Sequence, residues 1–142
     1  MQNINQLLQN MQIQLNNQTI VLAVSTGIDS MVLLDLVQKL KNVKIIVCHV
    51  NHHRRLQSDE EQQFITEYCQ KNNIKCYVEE LYFEETKNFQ EVARIKRYQF
   101  FEKIIKLENA KYLLTAHHAT DNLETILIRL IKSSSHKGYA GI

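Results

Sequence analysis

Apolar residues along this chain alternate between two spacings, one close to the helical repeat and one of short unbroken runs. Ile4, Leu7, Leu8, Met11 and Leu15 recur at helical intervals and predict an amphipathic helix over residues 3–16. TIVLAV at 19–24 is a β-rich run between polar residues and predicts a buried strand. Leu33, Leu36, Val37 and Leu40 predict a helix over 29–41, and VKIIVC at 43–48 predicts a second strand. Ser58 with Glu61 has the form of a capping box, opening a helix that carries Phe64, Ile65, Tyr68 and Cys69. IKCYVE at 74–79 predicts a third strand. Asn88 with Glu91 marks another helix start; that helix, to about residue 107, buries Phe89, Ala93, Phe100, Phe101, Ile104 and Ile105. YLLTA at 112–116 predicts a fourth strand, and Leu123, Ile126, Leu127, Leu130 and Ile131 predict a last helix over 121–132.

One helix followed by four strand–helix units predicts an α/β fold. Its form is a doubly wound, mainly parallel sheet with helices on both faces. Ligands in such sheets bind beyond the carboxyl ends of the strands. The segments expected there are 25–30, 49–55, 80–88 and 117–121, and most of the histidines fall in them. No repeat or low-complexity tract divides the 142 residues, which suit one domain with a sizeable core.

Composition changes this picture little. A chain 44% hydrophobic and 23% charged is ordinary for a soluble globular protein. Its apolar runs are far too short to span a bilayer. MQNINQLLQNMQIQL at the start has neither the cationic head nor the apolar block of a secretory signal, so a cytoplasmic location is expected. Cys48, Cys69 and Cys76 are odd in number and lack CxxC spacing, which reads as free thiols in a reducing compartment. A net charge of +2 does not by itself announce nucleic acid.

The candidate chemistry starts at STGIDS, residues 25–30, between the first strand and its helix. A strand turning tightly into a helix leaves backbone N–H groups pointing outward at the positive end of the helix dipole. Gly27 is expected to take an unusual φ and to let a ligand approach the backbone; Ser25, Thr26 and Ser30 add hydroxyl donors. The loop is a phosphate-sized anion site, although neither GxxxxGK[ST] nor GxGxxG is present. Asp29 suits such a site if Mg²⁺ bridges it to the phosphates. A plain Ser/Asp helix cap with a turn glycine explains the same residues. His49, His52, His53, His117 and His118 invite a metal reading, but no Cys or carboxylate spacing completes a tetrahedral set. Arg94, Arg97 and Tyr98 lie about a turn apart and are either solvated helix residues or contacts to phosphate or RNA. Arg54 and Arg55 form a small basic loop. Asp121 and Glu124, spaced as at a helix start, are either caps or functional carboxylates.

STGIDS resembles the SGGxDS pyrophosphate-binding loop, or PP-loop, of the N-type ATP pyrophosphatases. Further motifs resemble those of one family among them, the tRNA(Ile)-lysidine synthetases. HVNHHRR at 49–55 is similar to their HVNHGLR, and ARIKRY at 93–98 to ARxxRY. TAHHATDNLET at 115–125 is similar to TAHHxDDQxET, and RLIKSSSHKGYAGI at 129–142 to RLxRGSGxxGLxGI. The resemblance implies a Rossmann-like PP-loop ATPase domain over residues 1–142, cut short at its C-terminal end. It implies ATP and Mg²⁺, a tRNA(Ile) with a CAU anticodon and free L-lysine. In that reaction the wobble cytidine is adenylylated with release of pyrophosphate, and the lysine amine then displaces AMP to give lysidine. Ser25, Thr26, Gly27, Ile28, Asp29, Ser30, Asn51, His52 and His117 would bind ATP. Arg94, Arg97 and Tyr98 would contact phosphate or RNA, and Asp29 would hold Mg²⁺. Asp29, Asp121 and Glu124 would be catalytic, the last two towards the lysine amine.

This chain departs from the pattern at five positions. Thr26, His53, Ser133 and Ser135 stand where the family has glycines, and Thr120 where it has an aspartate. A Cβ at position 26 is unstrained only if φ there is negative. These changes and the early end favour an alternative, a nucleotide-binding module without catalysis. A 2-thiocytidine enzyme of the same superfamily is a further alternative, weakened by the absence of CxxC pairs.

Overall fold

A computed structural model describes residues 4–53, 56–82, 88–119 and 122–132, with only the backbone described for residue 4 and for those beyond 116. The elements run α1 (Ile4–Leu15), β1 (Thr19–Ala23), α2 (Ile28–Gln38), β2 (Lys44–Asn51), α3 (Ser58–Lys71), β3 (Lys75–Glu80), α4 (Phe89–Glu108), β4 (Tyr112–Ala119) and β5 (Asn122–Lys132). They build one five-stranded sheet in the order β3-β2-β1-β4-β5. The first four strands are mutually parallel, with Val21 opposite Ile46 on one side and Leu113 on the other. The fold is the expected doubly wound α/β sheet.

β1 is apolar throughout because both of its faces are covered. Ile20, Leu22 and Val24 face Met11 and Leu15 of α1, Leu33, Leu34 and Val37 of α2, and Ile65 and Cys69 of α3. Val21 faces the other way, with Ile46, Cys48 and Leu113, onto Phe100, Phe101, Ile104 and Ile105 of α4. The chain therefore winds from β1 through β2 to β3 with its connecting helices on one face. α4 then carries it back across the opposite face to β4. The winding reverses between β1 and β4, and a crevice opens at such a point. Left-handed turns that glycine would ordinarily serve fall to Asn17, Asn42, Asn73 and Asn109, at φ of 55° to 62°. All three cysteines are free, and burial pushes the Cys48 thiol well above its ordinary pKa.

Three expectations are corrected. Of the helix expected over 121–132, the described residues 122–132 form a strand instead: β5 lies antiparallel against β4, with Thr115 opposite Arg129. ILIRLI at 126–131 is half isoleucine, a composition as suited to a strand as to a helix. What decides is the outer edge of β4, whose N–H and C=O groups need a partner. The capping box at Ser58 does not form either. Gln57 occupies the N-cap without a side-chain bond, while Asp59, Glu60 and Glu61 complement the helix dipole in the first turn. Asn88 is at the N-cap of α4 but also makes no side-chain cap bond. Finally, β2 extends to Asn51, so His49 and Asn51 are strand residues rather than loop residues.

Candidate functional site

At the carboxyl edge of the sheet a cleft of about 930 Å³ opens between the β1–α2 loop, the ends of β2 and β4, and the first half of α4. Ser25 and Ser30 line one side. Their hydroxyls lie 3.2 Å apart, drawing the entry and exit of the loop together. The Gly27 N–H donates to Ser25 Oγ at 3.4 Å, and Met31 N–H reaches back to the Gly27 carbonyl at 3.0 Å as the first helical bond. The amides of Ile28, Asp29 and Ser30 belong to the first turn of α2, where no helical carbonyl precedes them. Asp29 is in that same turn, a hard oxygen ligand beside an anion site, so the residues present fit Mg²⁺ held between carboxylate and phosphate.

The glycine's role differs from the expected one. Gly27 has φ −68° and ψ 164°, ordinary extended backbone. The left-handed residue is Thr26, at φ 51°. The turn from strand to helix needs one such residue, and it falls one position earlier. An added Cβ at Gly27 would meet Ser25 Oγ at 3.4 Å, an ordinary van der Waals contact, so the folded loop by itself does not demand glycine there. His53 repeats the pattern at φ 53°, so both described positions where the resemblance has glycine replaced are left-handed.

The floor comes from β2. His49 is 3% exposed, and its Nδ1 lies 2.8 Å from the Val24 carbonyl. Asn51 is 2% exposed and fully engaged. Its Nδ2 donates to Asp59 Oδ1 at 3.0 Å and Gln62 Oε1 at 2.7 Å, and its Oδ1 accepts from the His53 N–H at 2.9 Å. Beside it, His53 lies between Asp59 (Nδ1 at 3.3 Å) and Glu80 (Nε2 at 3.2 Å), its ring stacked on Tyr82. The two carboxylates approach different ring nitrogens, and one ligand atom from each of the three residues lies within 4.8 Å of the others, close enough for the group to hold a metal ion. His52 lines the cleft; burial, then the Arg97 and His49 side chains, hold its pKa below the ordinary value.

The opposite wall is α4. Arg94, Arg97 and Tyr98 all line the cleft, facing the serines across it. Arg97 lies over the Tyr98 ring at 5.9 Å, and Tyr98 packs edge-on against Phe101. The cleft thus combines helix-terminus amides and hydroxyls on one wall with two guanidinium groups on the other, an arrangement that suits a polyphosphate. Sequence reasoning did not single out Ser58, Glu61 and Thr115 as site residues, yet they also line it. The usable signal was alternation: His49 and Asn51 share one face of β2, and α3 covers that face. The side chains of His117 and Glu124 are not described, and Arg54, Arg55, Thr120, Asp121, Ser133 and Ser135 lie outside the described residues.

Residues 1–142 match the PP-loop domain family over the whole chain. The chain belongs to that family. Among curated relatives, it is 40% identical over 132 residues to the tRNA(Ile)-lysidine synthase of Enterococcus faecalis, covering 89% of this chain and 28% of the relative. It is 42% identical over 130 residues to that of Lactiplantibacillus plantarum, covering 88% of this chain and 29% of the relative. The PP-loop chain thus spans under a third of the length of these two relatives. Among solved structures, a U34-tRNA thiolase from Methanococcus maripaludis is similar in fold at TM-score 0.60 and 15% identity, covering 79% of this chain and 44% of that one. Among the described residues no helix is long and apolar enough to cross a membrane.

Proposed function

We propose that this chain is the ATP-binding part of a cytoplasmic tRNA(Ile)-lysidine synthetase. The observation that carries the reading is the cleft in which the PP-loop, the α2 amides and Arg94 and Arg97 face one another. ATP phosphates lie against residues 25–30, with the nucleoside towards the end of β2 near Asn51 and His52. The loop amides, the Ser25 and Ser30 hydroxyls and the two arginines stabilise charge on the departing pyrophosphate as the wobble cytidine of a CAU-anticodon tRNA(Ile) takes AMP. Mg²⁺, when bound through Asp29, supplies further charge neutralisation there. The ε-amine of L-lysine, its proton accepted by a carboxylate, then displaces AMP and forms the carbon–nitrogen bond. Asp121 and Glu124 are assigned to that amine by resemblance alone, since Glu124 belongs to β5 rather than to the expected helix and Asp121 lies outside the described residues.

A nucleotide-binding module without catalysis is the second reading, favoured by the left-handed Thr26 and His53. Calorimetry with ATP and Mg²⁺, followed by pyrophosphate release with tRNA(Ile) and lysine on the full-length gene product, separates the two. Binding with lysine-dependent turnover supports the synthetase, and binding without turnover supports the module. No binding sinks both.

A further inference from the structure

His49 is the most deeply buried histidine for which exposure is described, and the loop chemistry above does not use it. Its Nδ1 lies 2.8 Å from the carbonyl oxygen of Val24. A carbonyl can only accept, so Nδ1 carries the hydrogen. Burial holds the ring's pKa below its ordinary value, against the opposing pull of the Val24 carbonyl and the Glu61 carboxylate. The ring is therefore neutral near pH 7, and Nε2 is a lone-pair acceptor that cannot donate. Among the described residues none bonds Nε2, and His49 lines the cleft.

The backbone explains why the ring is held so firmly. Val24 is the last residue before the PP-loop. Its N–H donates to the Cys48 carbonyl at 2.9 Å, while its own carbonyl goes to the His49 ring. The imidazole thus ends the β1–β2 ladder and anchors the point where the chain departs into residues 25–30. One side chain both fixes the loop and aims an acceptor of known polarity into the space above β2.

We propose that His49 Nε2 accepts a hydrogen bond from the nucleoside of the bound nucleotide, which makes His49 a specificity-determining residue of the site. This rests on the ATP reading of the cleft. The ligand chemistry is a neutral donor close to the end of β2. ATP offers three: the ribose 2′-hydroxyl, the ribose 3′-hydroxyl and the adenine 6-amino group.

Two variants divide the roles of the two ring nitrogens. His49→Asn keeps a short amide donor for Val24 and removes the cleft acceptor. His49→Gln places an amide oxygen near the Nε2 position and gives up the short donor. Calorimetry on the whole chain compares ATP, 2′-deoxy-ATP, 3′-deoxy-ATP, purine riboside triphosphate and inorganic triphosphate. ATP should bind His49→Asn between about 3- and 10-fold more weakly, the range for a lost neutral hydrogen bond, with inorganic triphosphate unchanged. One analogue should show the same penalty on the unsubstituted chain and no further loss on His49→Asn. His49→Gln should recover part of the ATP affinity lost by His49→Asn. If ATP binds the unsubstituted chain but all three analogues lose equally on His49→Asn, the proposal is overturned and the ATP reading stands. If triphosphate affinity falls with that of ATP, His49 serves the loop alone, and the proposal also fails. An unsubstituted chain that binds no ATP overturns both.

Discussion

Thr26 carries the conformational burden of the PP-loop. A β-branched residue at φ 51° crowds its Cβ against the following carbonyl, at a cost of about 1–3 kcal/mol. Thr26→Gly relieves that strain and adds unfolded-chain entropy of about 0.4–1 kcal/mol, so the net expectation is stabilisation of roughly 1 kcal/mol. The urea midpoint should rise and ATP should bind more tightly; a lower midpoint would contradict the strain. His53→Gly should not repeat the gain. Histidine tolerates the left-handed region better, and the ring contacts to Asp59, Glu80 and Tyr82 would go with it. Asp29 and Asp35 make a second pair of tests on one helix. Asp35 makes only an exposed ion pair with Lys39 at 3.8 Å, of a kind worth little. Asp29→Ala should weaken Mg²⁺-dependent ATP binding far more than Asp35→Ala in the same titration. Equal losses would remove Asp29 from the metal role.

α4 serves two ends of the molecule. Its first half supplies Arg94, Arg97 and Tyr98 to the cleft, while Phe100, Phe101, Ile104 and Ile105 pack under the sheet. Its last residue, Glu108, has a side chain only 7% exposed, at a helix end where the dipole disfavours an anion. Three cross-links answer that. Lys75 Nζ lies 2.6 Å away at the start of β3 and Lys44 Nζ 3.6 Å away at the start of β2, and the Tyr77 hydroxyl donates to the carboxylate. Lys75, then Tyr77, hold the Glu108 carboxyl below its ordinary pKa in the folded protein. A folded pKa below the unfolded one means stability that is present above the unfolded value, about 4.3, and lost as pH falls through the folded value. Wild-type urea midpoints should therefore drop more steeply on acidification below about pH 4.3 than those of Glu108→Gln. Parallel curves would show that the carboxylate adds no pH dependence.

At the scale of the whole molecule, the site exists because the winding of the sheet reverses between β1 and β4. That reversal brings the β1–α2 loop and the start of α4 to one crevice, although they are some sixty residues apart in the chain. The matched relatives extend well beyond the length of this chain, and the proposed lysine transfer is tested on the full-length gene product. There Glu124→Gln should abolish transfer of lysine to tRNA while leaving ATP binding intact. Unchanged transfer kinetics would end its catalytic assignment.

The sequence by itself determined the first helix, the three strand–helix units after it, the fourth strand, the α/β class and the position of the PP-loop. Those rest on local periodicity and on a polar loop that interrupts apolar runs, and both are legible residue by residue. It also carried the family motifs at 25–30, 49–55 and 93–98. The left-handed turn looked like the glycine's because glycine is the residue that pays least for it, yet the strand-to-helix geometry put it on Thr26. Only the tertiary structure decided that, along with the strand form of ILIRLI against the free edge of β4. The convergence of Arg94 and Arg97 with Ser25 and Ser30, and the partner that fixes the His49 tautomer, were likewise invisible in the chain. Each depends on which distant backbone group or side chain comes within reach, and spacing along one chain does not encode the approach of another segment.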